Sequence, residues 1–264
     1  MKKKMVLATA LLWAGLSFAA VDVVQFMNSI ERDGVSAVQK ILAEGQFNAN
    51  TLNYEGHTAL YVALREPAPR VADVLIDNAQ TKLNLENKFG ENALMMAAMR
   101  GLLPQAQRMV AKGAEVNKKG WTPLHYAASA GDVAMVKFLL DASAYIDAES
   151  PTGDTPLMMA ASRAKLEVLQ LLLDEGADAS LRNAAGQDAV DMALAGSNTK
   201  SAALLRNWSA ASASARTSTK TSSPTAEEGT KTPAQPIIAQ PAAGNEAPEE
   251  ATGTTFTGTG TGRP

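Results

Sequence analysis

The chain has 264 residues, with 24 Lys and Arg against 27 Asp and Glu, two His and no Cys, for a formal charge of −3. The absence of Cys excludes a disulfide-stapled fold, thiolate ligation of zinc or an iron–sulfur cluster, and a cysteine nucleophile. Mild acidity argues against a nucleic-acid or anionic-membrane surface, since either needs clustered Lys and Arg.

Residues 1–19 read as a secretory signal peptide. Lys2, Lys3 and Lys4 make a positive start, Met5 to Phe18 follow without a charge, and Ser17-Phe18-Ala19 puts small residues at the −3 and −1 positions of a cleavage site. The uncharged run is shorter than the ~20 apolar residues of a spanning helix. Cleavage after Ala19 leaves 21 basic and 27 acidic residues, a formal charge of −6. The pattern is bacterial in style, so the expected compartment is the periplasm, with full secretion as the alternative and no membrane span after cleavage. A chain without Cys suits an oxidising compartment.

Residues 20–208 are organised by a repeat. The stretches GHTALYVAL from Gly56, GENALMMAA from Gly90, GWTPLHYAA from Gly120, GDTPLMMAA from Gly153 and GQDAVDMAL from Gly186 share one pattern, with glycines 34, 30, 33 and 33 residues apart. A second element recurs in phase and ends at Gly45, Ala79, Gly113, Ser143 and Gly176. One unit of this kind cannot bury an apolar face alone, so neighbours must stack. These residues resemble the ankyrin repeat: Thr122-Pro123-Leu124-His125 with Ala127-Ala128 is a full match to its first helix, and Leu171-Leu172-Leu173 with Gly176-Ala177-Asp178 matches its second half. The resemblance covers roughly Asp22 to Trp208. It implies an all-α solenoid of about five helix-turn-helix units with β-turn fingers, the two end units divergent.

Elementary chemistry agrees with the pattern. Thr before Pro can cap a helix whose first residue has no N–H to satisfy. Ala-Ala keeps the first helix thin. Gly at the end of the second helix supplies a left-handed closure, so the ends at Ala79 and Ser143 are expected to be strained or capped differently. From helix end to motif Gly the spacing is 11, 11, 7, 10 and 10 residues along the chain. The finger before Gly120, which carries Lys118 and Lys119, is therefore short and should notch the row.

Residues 209–264 are rich in Ala, Ser, Thr, Pro and Gly, with only Ile237, Ile238 and Phe256 as large apolar residues. Such a segment cannot bury enough surface to order itself, and no helix is expected there.

The chemical inventory is thin. No Gly-Lys pair supports a P-loop and no HExxH motif is present, and two His exclude a multi-histidine metal site. His125 is expected to bond backbone between repeats, as the resemblance implies. His57 is expected near a β-turn, at the surface. Eight Met from Met95 to Met192 invite a copper site, but their shared register favours packing. No cofactor and no metal are expected, and the chain is read as no enzyme.

What remains is binding. Carried over from the resemblance, the candidate contacts on a concave face are Tyr54, His57, Phe89, Glu91, Met99, Arg100, Trp121, Asp154 and Arg163. Aromatic and Arg anchors are what interface centres favour. The expected function is a monomeric, non-enzymatic adaptor that binds another protein, in the periplasm. An inhibitor, immunity or protective accessory protein for an enzyme of that compartment is the alternative, with a hydrolase of unrecognised site behind it.

Overall fold

The computed structural model describes residues 23–45 and 47–218, with side chains to residue 211. The expected signal peptide and residues 219–264 lie outside them. Among the described residues there are twelve helices in six pairs and no strand beyond an isolated bridge between Leu52 and Thr58. The pairs are α1 (23–31) with α2 (Val35–Ala43), α3 (Ala59–Arg65) with α4 (Pro69–Asp77), α5 (Ala93–Arg100) with α6 (Leu103–Ala111), α7 (Pro123–Ala130) with α8 (Val133–Asp141), α9 (Pro156–Ser162) with α10 (Leu166–Asp174), and α11 (Ala189–Ala195) with α12 (Thr199–Ser218). Five pairs follow the five motif glycines; the additional pair is α1–α2.

First helices stack on first helices, from α3 through α5, α7 and α9 to α11, while α2, α4, α6, α8, α10 and α12 form a second row. The spine between the rows repeats in register. Leu60, Leu94, Leu124 and Leu157 face Leu75, Met109, Leu139 and Leu172, all essentially buried. Each such side chain contributes roughly 1.5–3 kcal/mol on removal from water. Alanines such as Ala97-Ala98, Ala127-Ala128 and Ala160-Ala161 are fully buried, which lets adjacent first helices approach.

The first helices α3, α5, α9 and α11 each open on a capping side chain. Thr58, Asn92, Thr155 and Asp188 accept from the backbone N–H groups of Tyr61, Met95, Met158 and Asp191 at 3.0–3.4 Å. The residue three positions on answers in kind: His125 Nδ1, Met158 sulfur and Asp191 carboxylate accept from the cap's own N–H. This reciprocal pairing satisfies donors that a helix start otherwise leaves open.

The second helices close as expected where Gly is present, with positive φ at Gly45, Gly113 and Gly176. Ser143 takes the same conformation at φ 65 despite its side chain. The Ala79 end avoids it: α4 stops at an extended Asn78, whose side chain accepts from Gln80 N–H, and the Thr81 hydroxyl donates to the Leu75 carbonyl at 2.5 Å. The two departures from Gly are thus solved in opposite ways, one by strain and one by a different cap.

Two sets of polar side chains build the fingers. Three residues before the motif Gly, Asn53, Asn87, Ser150 and Asn183 each accept from the N–H groups two and four residues ahead at 2.8–3.2 Å. A second set ties each unit to the next: Asn50 bonds Gln80 carbonyl and Lys82 N–H, Asn84 bonds Gly113 carbonyl and Glu115 N–H, and Asn117 bonds Ser143 carbonyl and Tyr145 N–H. In the other fingers these ties come six residues before the Gly; Asn117 comes three before Gly120. The shortened segment keeps the tie between units and has no residue left to close a finger. A depression of about 770 Å³ opens there, lined by Asn117, Lys119, Tyr145, Glu149 and Pro151 among others. Lys118 does not project, because its ammonium donates to the Gly90 carbonyl at 2.7 Å and pairs with Glu86.

The boundary expected at Ser209 needs correction. α12 runs to Ser218, ten residues past Trp208. Leu205 is buried and Leu204 and Trp208 pack on the core, which anchors the first part of the helix. The following run, with Ala210, Ala211, Ala213 and Ala215, is rich in the best helix former and extends an already nucleated helix.

Candidate functional site

The fingers and the exposed edge of the first helices form one face, called the inner face below. One register on it carries Met96, Tyr126, Met159 and Met192, all half-buried. Near the middle of the array, side chains from α5, α7 and α9 converge on a pocket of about 150 Å³ lined by Met99, Trp121, His125, Tyr126, Ser129, Met159 and Arg163.

His125 forms the floor. It is fully buried, and its Nε2 lies 2.9 Å from the Asp154 carbonyl of the next unit. A carbonyl only accepts, so Nε2 carries the proton and Nδ1 accepts from the Thr122 N–H at 3.2 Å. Burial pushes its pKa down, which keeps the ring neutral. Both nitrogens are committed to structure, as expected for this position. Trp121 stands edge-on to this ring, with centroids 5.3 Å apart, and edge-on to Tyr126 at 6.4 Å.

Glu91 is the electrostatic centre of the face. Its carboxylate accepts from Tyr61 OH at 2.8 Å, Tyr126 OH at 2.7 Å and Asn87 Nδ2 at 2.8 Å. Burial alone would raise its pKa, but donation by Asn87, Tyr126 and Tyr61 outweighs that and holds the carboxyl below its ordinary value. Burial first, then the adjacent carboxylate, pushes both phenols well above theirs. One carboxylate thereby joins side chains from three successive units.

The sequence-derived candidates separate into three groups. Met99, Trp121 and Arg163, which lie far apart in the chain, meet at the pocket; Arg100 is exposed beside Met99. Tyr54 and Phe89 stand on fingers, 73% and 66% exposed, and the Lys88 ammonium sits 5.0 Å from the Phe89 ring. Glu91 and Asp154 hold the array together: the Asp154 carbonyl receives His125, and its carboxylate accepts from Thr152 and Asn183. His57 corrects an expectation. It is 8% exposed, with its ring stacked on Tyr61 at 4.5 Å and the Glu55 carboxylate 3.0 Å from Nδ1. Tyr61 occupies the TPLH histidine position, and its broad ring gives His57 a surface to lie against.

Sequence reasoning passed over Tyr126 and Met159 as contact residues. Met159 packs half-buried against the core, as its register implies, and also lines the pocket. The signal was the register that Met96, Tyr126, Met159 and Met192 share. Among the described residues no three His, Asp or Glu side chains converge to hold a metal ion, and no helix is long and apolar enough to cross a membrane.

Comparison with known proteins bears on this geometry directly. Residues 68–150 match the family described as "Ankyrin repeats (3 copies)", and residues 142–193 match "Ankyrin repeats (many copies)". The chain is 33% identical over 98 residues to rat "Ankyrin repeat and SAM domain-containing protein 6", covering 36% of this chain and 11% of that protein. It is 32% identical over 100 residues to the Caenorhabditis elegans "Transient receptor potential cation channel subfamily A member 1 homolog", covering 37% and 8%. It is 31% identical over 105 residues to the mouse "Nuclear factor NF-kappa-B p105 subunit", covering 37% and 11%. The chain thus spans about a tenth of the length of the curated relatives it matches.

Proposed function

We propose that this chain, whose residues 68–193 match ankyrin-repeat models, is a non-enzymatic adaptor that grips another protein by its inner face. Ankyrin arrays are protein–protein interaction modules and in general carry no catalysis. The observation that carries the reading to this face is the pocket where Met99, Trp121 and Arg163 meet. Aromatic and Arg side chains around a small apolar recess are what interface hot spots are made of. Their supports are already fixed by the His125 and Glu91 bonds, so little order has to be gained on binding.

We place the protein in a bacterial periplasm as a monomer. The support is the tri-lysine start, the uncharged run and Ser17-Phe18-Ala19. N-terminal sequencing of protein recovered from a periplasmic fraction is expected to begin at Ala20; recovery from the cytoplasm with Met1 in place would contradict it.

Affinity capture from an envelope fraction tests the binding reading. The full chain is expected to retain a defined protein that the Met99→Ala/Arg163→Ala variant loses, with the melting temperature unchanged. Equal capture by both proteins would show that another face does the work.

A further inference from the structure

We propose that the pocket beside Trp121 receives one large apolar side chain from a partner segment that carries Asp or Glu within the next few residues. This rests on reading the inner face as the binding surface and gives its partner a chemistry. The recess, about 150 Å³, has room for one side chain and not for a folded surface. Its walls are the rings of Trp121 and Tyr126 and the thioethers of Met99 and Met159, which favour an aromatic or branched aliphatic guest.

The polar groups decide what must flank that guest. The Tyr126 hydroxyl already donates to Glu91, both His125 nitrogens are bonded, and both Glu91 carboxylate oxygens are occupied. That leaves Arg163 as the one charged side chain lining the pocket. The charge lining the pocket itself is positive; Arg100 beside it borders a separate depression that also carries Asp132 and Glu167. Arg65, Arg70, Arg108 and Arg182 each hold a carboxylate, whereas Arg163 at the pocket and Arg100 beside it pair with none among the described residues. An exposed guanidinium with its fork open is matched by a carboxylate, which it can hold through two hydrogen bonds.

The test is selection of displayed random linear peptides on the full chain. Enriched peptides are expected to carry a large apolar residue followed closely by Asp or Glu. Binding of the best of them, followed by fluorescence anisotropy, is expected to weaken about tenfold or more in Arg163→Glu. It should disappear in Ser129→Phe, which fills the recess, and stay unchanged in Lys137→Glu on α8. Arg163 is exposed, so its reversal leaves a folded array even if Ser129→Phe disturbs packing. Enrichment of basic or purely apolar peptides, no enrichment at all, or binding indifferent to Arg163→Glu would overturn the proposal. Displacement of the peptide by 3-phenylpropionate at matching concentration would also overturn it, in favour of a small aromatic acid. In each of these cases the envelope capture experiment still judges separately whether the inner face binds protein.

Discussion

The finger that ends at Gly90 and the segment that ends at Gly120 do the same job with different means. In the first, Asn84 ties one unit to the next and Asn87 closes the turn. In the second, four residues fewer between helix end and Gly leave only Asn117, and it serves the tie between units. The array therefore gives up the shape of a finger before it gives up the coupling between neighbours. That ordering is what a stack demands, since each unit is stable only through its contacts with the next.

Substitutions can break or sharpen this contrast. The largest effect is expected in the spine that both regions share: Leu124→Ala should cost about 2–5 kcal/mol in chemical denaturation, because the site is fully buried. Asn117→Ala comes next, at about 1–3 kcal/mol, since the Ser143 carbonyl and Tyr145 N–H lose their partner. Asn87→Ala should open the finger and speed hydrogen exchange at Phe89 and Glu91 while leaving neighbouring units protected. If Asn117→Ala proved as local as Asn87→Ala, the division of labour between the two residues would be wrong. Smaller still, Ser143→Gly should stabilise by about 1 kcal/mol by relieving a left-handed Ser, whereas Ala79→Gly should bring no gain, because Ala79 does not adopt that conformation. A shared gain would mean that both ends close alike.

The weakest expected effect is on pH. The folded pKa of Glu91 lies below its ordinary 4.5, so its contribution is fully present above pH 4.5 and is lost as pH falls through the folded value. Melting curves across that range should show a shallower acid loss for Glu91→Gln than for the natural chain. Identical slopes would remove Glu91 from the account of acid sensitivity.

Much of this architecture was legible in the chain because stacking imposes a period. Glycines about 33 residues apart, Thr-Pro at helix starts and in-phase leucines are direct consequences of one unit packing on the next. The short finger was legible too, as a deficit of residues. The second role of Asn117 was not, because a tie and a turn both call for Asn and only coordinates separate them. At the candidate site, Met99, Trp121 and Arg163 were named because the ankyrin resemblance implies them, and the structure brings the three to one pocket. His57 was misjudged because its burial depends on Tyr61 standing where the pattern has His. The end of α12 was misplaced for a related reason: composition reports that the Ala-Ser run has nothing to bury, but not that a packed helix can carry it onward.

Site-specific photo-crosslinking tests the central claim most directly. A benzoylphenylalanine at position 163, on the inner face, is expected to trap the partner in cells. The same group at position 137, on the outer surface of α8, is expected to trap nothing. A partner adduct at 137 with none at 163 would contradict the claim that this protein holds its partner through the pocket beside Trp121.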